Sequence, residues 1–527
     1  MRASSSPSRA ESAEVSGASN QTVTVALAAL ALAWGAFIFA WEPAVLTLTV
    51  DDSFYYLATA RNFARGLGFT FDGIHATNGF QPLWMWLLVP IARAFGDDLD
   101  TLARVVLVGQ VALVLAATGA LLRLGSAPTS TRSGLAALTP FGGFYFMKVF
   151  ANGMESAVHY ALLVALLWLL AVTDARETSA PRRARALFAL AAVGAALTLA
   201  RLTSVVFAVP ALAWAARRWG ARWKVALASG AVYIVPLAAY AVANCALYGH
   251  ILPVSVAIKL ERPPGDWSTR LLALGTSVGP VAAMLGVLGR RRGGDTACAA
   301  ELLAGGATAL ALLDALRGAV VPEIWTLVPQ ATLLLLVLSR DPAPRVLATP
   351  ARRYAIATLV LAFGAAEWSA RCRAASYAPY VEARRAGLWL KDHTPPVAVA
   401  AGWDCGIAGA YSSRRMINLD GLVNSWAYKT DVLDRGGLSD YLDEAGVDYV
   451  VQPFDVDLLP TLEREAWASW SVAYAHCFDF RPVLSRPSDA PRHIVELVLA
   501  RRGAGPSLSG FSSATGGLCG AGSFGRD

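Results

Sequence analysis

Two adjacent carboxylates, Asp51 and Asp52, stand in the stretch "TLTVDDSFYYLATARNFARGLGFTFDG" at 47–73, directly after the first long apolar run of the chain. A carboxylate so placed can accept a proton or hold a cation, and it stays ionised when water, a cation or an arginine reaches it. Aromatic residues follow at once, then Arg61 and Arg65, one helical turn apart. Asp52 or Ser53 is expected to cap a helix running to about Arg65, which leaves Asp51 free. On that helix Tyr56, Ala60 and Phe63 form a second face suited to a lipid boundary. Plain helix capping and topology-setting charge are the competing readings of the acid pair. "GLGFTFDG" reads as a turn, and "HATNGFQPLW" returns the chain towards the apolar region.

The elements that would position these acids are set by composition. The 527 residues are 55% hydrophobic and 16% charged, far from the roughly 25% charged content of soluble domains. The chain reads as a polytopic helical membrane protein, mainly α. Apolar runs of near-spanning length predict about eleven spans, at 22–46, 102–122, 134–150, 155–173, 185–200, 203–217, 224–246, 270–289, 297–316, 323–339 and 354–370. The two around Arg201 could also form one bent helix. With the N-terminus inside, the cytoplasmic links are all basic: Arg123 to Arg132, "DARETSAPRRARA", "ARRWGARWK", "GRRRGGD" and "SRDPAPRVLATPARR". The opposite links hold the double Asp, "NGMES" at 152–156, Arg201, "YGHILPVSVAIKLERPPGDWSTR" and "RGAVVPE". Much of the net charge of +7 is therefore topogenic arginine, and no nucleic-acid partner is needed to explain it.

The alternation holds only if "GFQPLWMWLLVPIARAFG" at 79–96 does not cross. It is expected to be an interfacial helix, broken by Pro82 and Pro90, with Trp84 and Trp86 at the headgroup boundary. The first external loop then runs over 47–101, a length that points to function. Residues 1–21 read as a disordered cytoplasmic tail, 22–370 as the membrane domain, 371–502 as a small extracytoplasmic α/β domain, and 503–527 as a disordered Gly/Ser tail. In the α/β part, "VAVAAG", "RMINLD" and "VDYVVQPF" read as strands, while "IAGAYSS" and "LSDYLDEAG" read as helices. Cys405 and Cys477 would share an oxidising compartment and could pair. No CxxC, HExxH, Gly-rich phosphate loop or Ser/His/Asp arrangement stands out.

"DDSFYYLATARNFARGLGFTFDGIHATNGFQPLWMWLL" resembles the first external loop of GT-C superfamily membrane glycosyltransferases, especially the bacterial branch related to mycobacterial cell-wall arabinofuranosyltransferases. "NGMESAVHYALL" at 152–163, "YGHILPVSVAIK" at 248–259 and "INLDGLVNS" at 417–425 resemble further landmarks of those proteins, so the likeness spans most of the chain. "ARLTS" at 200–204 departs from the Arg-Pro pair expected there. The resemblance implies inverting transfer of a sugar from a polyprenyl-phosphate donor to a cell-envelope glycan, lipid or protein acceptor on the outer face of the plasma membrane. It implies Asp51 as general base, with Asp52 as its backup or as the holder of acceptor or metal. Glu155 would join Asp52 in a hard-cation site for Mg, Mn or Ca. Lys259, Arg201 and Arg262 would meet the donor phosphate. His75 and Asn78 could hydrogen-bond a sugar, although loop-turn residues would look the same; Arg61, Asp420 and Asn424 are further candidates for substrate contact, with a plain turn role the favoured reading of Asp420 and Asn424. A lipid-linked-sugar flippase and a non-catalytic envelope assembly protein are the rival classes; a flippase should carry charges mid-helix, whereas here most lie at span ends.

Overall fold

In the computed structural model, residues 9–124, 135, 137–173, 179–261, 302–310, 324–339, 378–455, 470–480 and 492–501 are described. In chain order the helices are α1 (Arg9–Ala40), α2 (Ala44–Leu48), α3 (Asp51–Ala64), α4 (Pro82–Phe95), α5 (Leu99–Leu122), α6 (Phe144–Phe150), α7 (Ser156–Val172), α8 (Ala180–Ala200), α9 (Val205–Arg218) and α10 (Trp223–Tyr248). They continue with α11 (Val254–Glu261), α12 (Val328–Ser339), α13 (Ala378–His393), α14 (Gly406–Ser412) and α15 (Leu438–Glu444). Among the described residues four helices are long and apolar enough to cross a bilayer: Gln21–Ala40 within α1, then α5, α8 and α10. The outward side of α10 carries Leu227, Ile234 and Val242, all well exposed, as suits contact with lipid tails.

Four of the expected spans, 22–46, 102–122, 185–200 and 224–246, coincide with these helices. The run at 134–150 is broken: a 3-10 turn at Thr139–Gly142 precedes the seven residues of α6, where Pro140 and Gly143 interrupt the helix. Around Arg201 there are two helices, because Arg201 itself is extended at φ −153°, ψ 111°. The expected spans 270–289 and 354–370 lie outside the described residues. The 14 residues of α4 measure about 21 Å at 1.5 Å per residue, too short for a roughly 30 Å hydrocarbon core. Of its tryptophans only Trp86 is exposed. Trp84 is buried and donates from Nε1 to the Gly153 carbonyl at 3.1 Å, so it ties two loops together where a headgroup contact was expected.

A five-stranded sheet with order β2-β1-β3-β5-β4 stands after the helices: β1 (Val399–Gly402), β2 (Arg415–Asn418), β3 (Tyr449–Asp455), β4 (Trp470–Phe480) and β5 (Arg492–Arg501). β1 pairs in parallel with β2 and β3, whereas β5 runs antiparallel between β3 and β4. The parallel β1–β2 connection passes through α14, the crossover that parallel strands require. One continuous core runs from α1 and α5 through Phe54 and Leu88 to Ala400, Tyr449 and Val498 of the sheet. The small sheet layer is therefore packed on the helical body. Polar clamps reinforce the seam: Arg384 on α13 pairs with Asp100 at 2.9 Å and with Glu42 at 3.4 Å, and Tyr411 donates to Asp100.

Candidate active site

The long segment between α1 and α5 is anchored by its own turns. After Asn62 at the end of α3, Gly66, Gly68 and Gly73 take positive φ, and Thr70 bridges to Ala76. Asn62 holds this turn by donating from Nδ2 to the carbonyls of Thr70 and Phe71. The second loop is held by a buried amide from a span: Gln110 of α5 donates to the Met154 carbonyl and accepts from the Gly153 amide. A polar side chain at that depth costs little once both of its ends are bonded.

Asp51 is not free. Helix α3 begins at Asp51 itself, its N-cap Val50 has no capping side chain, and the Ser53 hydroxyl turns back to the Val50 carbonyl at 2.6 Å. Both Asp51 oxygens accept backbone amides from the start of α14: Gly406 at 2.8 Å and Ile407 at 2.8 Å. The expectation of local capping by Asp52 or Ser53 therefore fails, and Asp51 caps a helix from across the molecule, where unsatisfied N–H groups attract a carboxylate. Burial pushes the Asp51 carboxyl well above the usual range; the Ile407 amide opposes this and the Asp52 charge adds to it. Beside it, Tyr55 donates to Asp420 at 3.3 Å while its oxygen accepts the Cys405 amide at 3.0 Å and Asn418 Nδ2 at 2.9 Å.

Asp52 faces two cavities. The first, about 320 Å³, is lined by Asp52, Glu155, Arg201 and Lys259, together with Tyr56, Gln81 and Ser255. Arg201 donates to Glu155 at 2.8 Å; Glu155 is 2% exposed, and its second oxygen is buried without a partner among the described residues. Gln81 accepts the Leu202 amide at 3.2 Å and donates its own amide to the Tyr56 hydroxyl at 2.9 Å, which fixes the Arg201 turn against α3. The second cavity, about 400 Å³, shares Asp52, Lys259 and Leu422 with the first and opens towards α13, α14 and the sheet.

The other expected contact residues divide. Asn78 is buried, accepts the Val254 amide at 2.9 Å and donates to the Leu252 carbonyl at 3.3 Å; it sets the start of α11, which carries Lys259, and lines neither of these two cavities. His75 sits 2.7 Å from Asp72, which also receives Arg415 at 3.4 Å, a link from the loop to β2. Burial pushes the Asp72 carboxyl up, but the His75 and Ile74 hydrogen bonds outweigh it and hold it below the usual range. Arg61 lines neither cavity. Asp420 caps the Leu422 amide at 2.9 Å and accepts the Asp404 amide at 3.2 Å, while Asn424 bonds the Asn418 carbonyl and the Ser425 amide. Both serve the turn after β2. Arg262 lies outside the described residues. Cys405 is a free buried thiol, so the pairing considered with Cys477 is not made. Tyr55, Gln81 and Gln110 were not singled out, since neutral side chains bonded to distant backbone leave no spacing signature.

Among the described residues the expected pairing of Asp52 with Glu155 is not joined by further His, Cys, Asp or Glu side chains. The expected divalent cations take several oxygen ligands, yet Glu155 is committed to Arg201. No group of three or more His, Cys, Asp or Glu side chains converges among the described residues.

A domain family described only as of unknown function, DUF8728, matches residues 371–492. No curated protein matches the chain. Among solved structures, ArnT from Cupriavidus metallidurans, crystallised with undecaprenyl phosphate bound, is similar with a TM-score of 0.51 and 13% identity over 90% of this chain and 97% of that one. The oligosaccharyltransferase of Archaeoglobus fulgidus in its apo form has a TM-score of 0.46 and 13% identity over 86% of this chain and 73% of that one, too distant a likeness to argue from. At that identity the likeness to ArnT is one of fold: a mainly helical body carrying a small sheet layer.

Proposed function

We propose that this protein is a multi-pass plasma-membrane glycosyltransferase that moves a sugar from a polyprenyl-phosphate donor to an envelope acceptor, with its site and α/β domain on the extracytoplasmic face. The observation that carries the proposal is the cavity where Asp52, Arg201 and Lys259 meet at the end of the apolar helices. A donor with a lipid tail and a charged phosphosugar needs such a boundary, and ArnT, whose fold this chain shares, was crystallised with undecaprenyl phosphate.

In this reading the acceptor hydroxyl oxygen attacks the anomeric carbon as its proton passes to Asp52. The bond from that carbon to the phosphate oxygen breaks on the opposite side, and the configuration inverts. The electron pair leaves with polyprenyl phosphate, whose charge is met by Lys259 and Arg201. Asp52 takes the base role first expected of Asp51, because both Asp51 oxygens are occupied by α14 while Asp52 lines both cavities. Incubation of the purified protein with a panel of polyprenyl-phosphate sugars and envelope extract, read by mass spectrometry, should show release of polyprenyl phosphate together with a glycosylated product. Labelled lipid that crosses the membrane without losing its sugar would replace the transferase by a flippase.

A further inference from the structure

Lys259 lines both cavities from a short helix. At eight residues, α11 falls below the roughly 12–15 residues under which an isolated helix is marginal in water, so its neighbours must hold it. Asn78 holds its start, accepting the Val254 amide at 2.9 Å. Its far side and its end meet the loop that follows β2. Ile258 packs on Gly421, where an added Cβ would lie 2.9 Å from Ile258 Cδ1. On the link into α11, His250 stacks on Trp426 with ring centroids 3.6 Å apart. Glu261, the last residue of the helix, pairs with Lys429 at 2.7 Å.

Lys429 is 4% exposed, and a lysine so enclosed keeps its charge where carboxylates reach it. Two do so. One is Glu261 of α11, and the other is Asp434 of the same loop, at 2.9 Å. Neither Lys429 nor Glu261 lines either cavity, whereas Leu422 of this loop lines both. The ion pair therefore ties the sheet layer, from outside the cavities, to the helix that carries Lys259.

We propose that Lys429 is a positioning residue for donor binding: through Glu261 it fixes the end of α11 and so sets Lys259 at the junction of the two cavities. This rests on the donor-phosphate reading of Lys259. It gives the segment matched by DUF8728, which contains Lys429, a part in placing the donor. Lys259 precedes Glu261 by about 3 Å along the helix axis at 1.5 Å per residue, so a displaced helix end carries the ammonium with it. The Asn78 end stays anchored. The effect of releasing Glu261 should therefore fall on the lysine at the free end of α11.

The test is binding of undecaprenyl phosphate to the purified full-length protein, together with hydrogen exchange at the amides of 258–261. Glu261→Ala releases the helix while Lys429 keeps Asp434, so no buried charge is stranded. Lys429→Met breaks the tie from the other side, and the carboxylates it leaves, Glu261 at 59% and Asp434 at 43% exposure, stay hydrated. Both variants should speed exchange and weaken binding about fivefold, the size expected of coupling within one ion-pair network. Asp434→Asn spares the tie and should bind as the parent does. With Lys259→Ala already present, Glu261→Ala should weaken binding no further, because the side chain it positions is gone. A residue that only stabilises the fold would add its loss in full. Unchanged binding in Glu261→Ala and Lys429→Met, a loss that persists in full beside Lys259→Ala, or a greater loss from Asp434→Asn than from Glu261→Ala overturns the proposal. Equal binding by the parent and Lys259→Ala would instead overturn the donor reading of Lys259, and the positioning role would fall with it.

Discussion

The Asp51 carboxylate accepts the Gly406 backbone amide at 2.8 Å, across 355 residues of sequence, and the next amide, that of Ile407, at the same distance. This bond joins the segment between α1 and α5 to the sheet layer, so Asp51 is expected to act by positioning. An added Cβ at Gly406 would lie 2.4 Å from the Asp51 carbonyl oxygen, which leaves no room for a side chain. Asp51→Asn keeps one acceptor and turns an N–H₂ towards the other amide. It should cost on the order of 1.5–3 kcal/mol of local stability, as for hydrogen bonds to charged groups. Hydrogen exchange at the amides of 406 and 407 should accelerate accordingly. Unchanged exchange would mean that the contact does not hold the two layers together.

The Arg201–Glu155 pair gives a second expectation. Glu155 is 2% exposed and Arg201 is its ion-pair partner at 2.8 Å. Arg201→Met should destabilise the protein by roughly 3–5 kcal/mol, because it strands a buried carboxylate. The double variant Arg201→Met with Glu155→Gln should regain part of that loss while still binding the donor phosphate poorly. Thermal melting and undecaprenyl-phosphate binding of the two single variants and the double variant check this. Additive losses in the melting series would show that the two side chains are not coupled.

Local patterns were legible in the sequence and long-range bonds were not. β1, β2 and α15 fall within the segments expected from alternation and helix-like runs, and β3 and α14 overrun theirs by one residue each. The two longest strands went unseen. β5 buries Leu497, Val498, Leu499 and Ala500 in succession, and a strand covered on both faces loses the alternation that reveals it. At the site, Asp52, Glu155, Arg201 and Lys259 were picked out separately, and the fold brings all four to one cavity. The occupation of Asp51 was illegible because its partners are amides of Gly406 and Ile407, which every sequence position except proline could supply.

Glu382 makes stability depend on pH. It lies on α13, is 3% exposed and pairs with Arg385 at 2.7 Å. Burial nevertheless raises its pKa to about 7, with Arg385 opposing. Between those limits the folded state therefore holds a proton that the unfolded chain, with the ordinary glutamate pKa of 4.5, has released. Stability from this group is fully present below about pH 4.5 and is lost as pH rises through about 7. Glu382→Gln should remove this dependence and raise the melting temperature at pH 8 relative to the parent, with little difference at pH 4.5. Parallel melting curves for the two proteins over that range would contradict it.

Asp52→Asn separates chemistry from architecture. Asp52 lines both cavities, and Asn keeps its size and hydrogen-bonding reach while being unable to take the acceptor's proton. General-base catalysis contributes on the order of 10² to 10⁴ in rate, so turnover should fall within that range. Binding of undecaprenyl phosphate and exchange at the amides of 406 and 407 should stay as in the parent. Asp51→Asn should show the opposite balance: faster exchange at those amides, a raised KM for acceptor, and a smaller loss in kcat. Lys259→Ala should differ from both by weakening donor binding and slowing turnover together, because its charge meets the phosphate before and during bond cleavage. If Asp52→Asn keeps more than about a tenth of the parent turnover, well above the expected range, the base is elsewhere. If Asp51→Asn then shows the larger kcat loss with exchange at 406 and 407 unaltered, the proton passes to Asp51 despite its two amide partners.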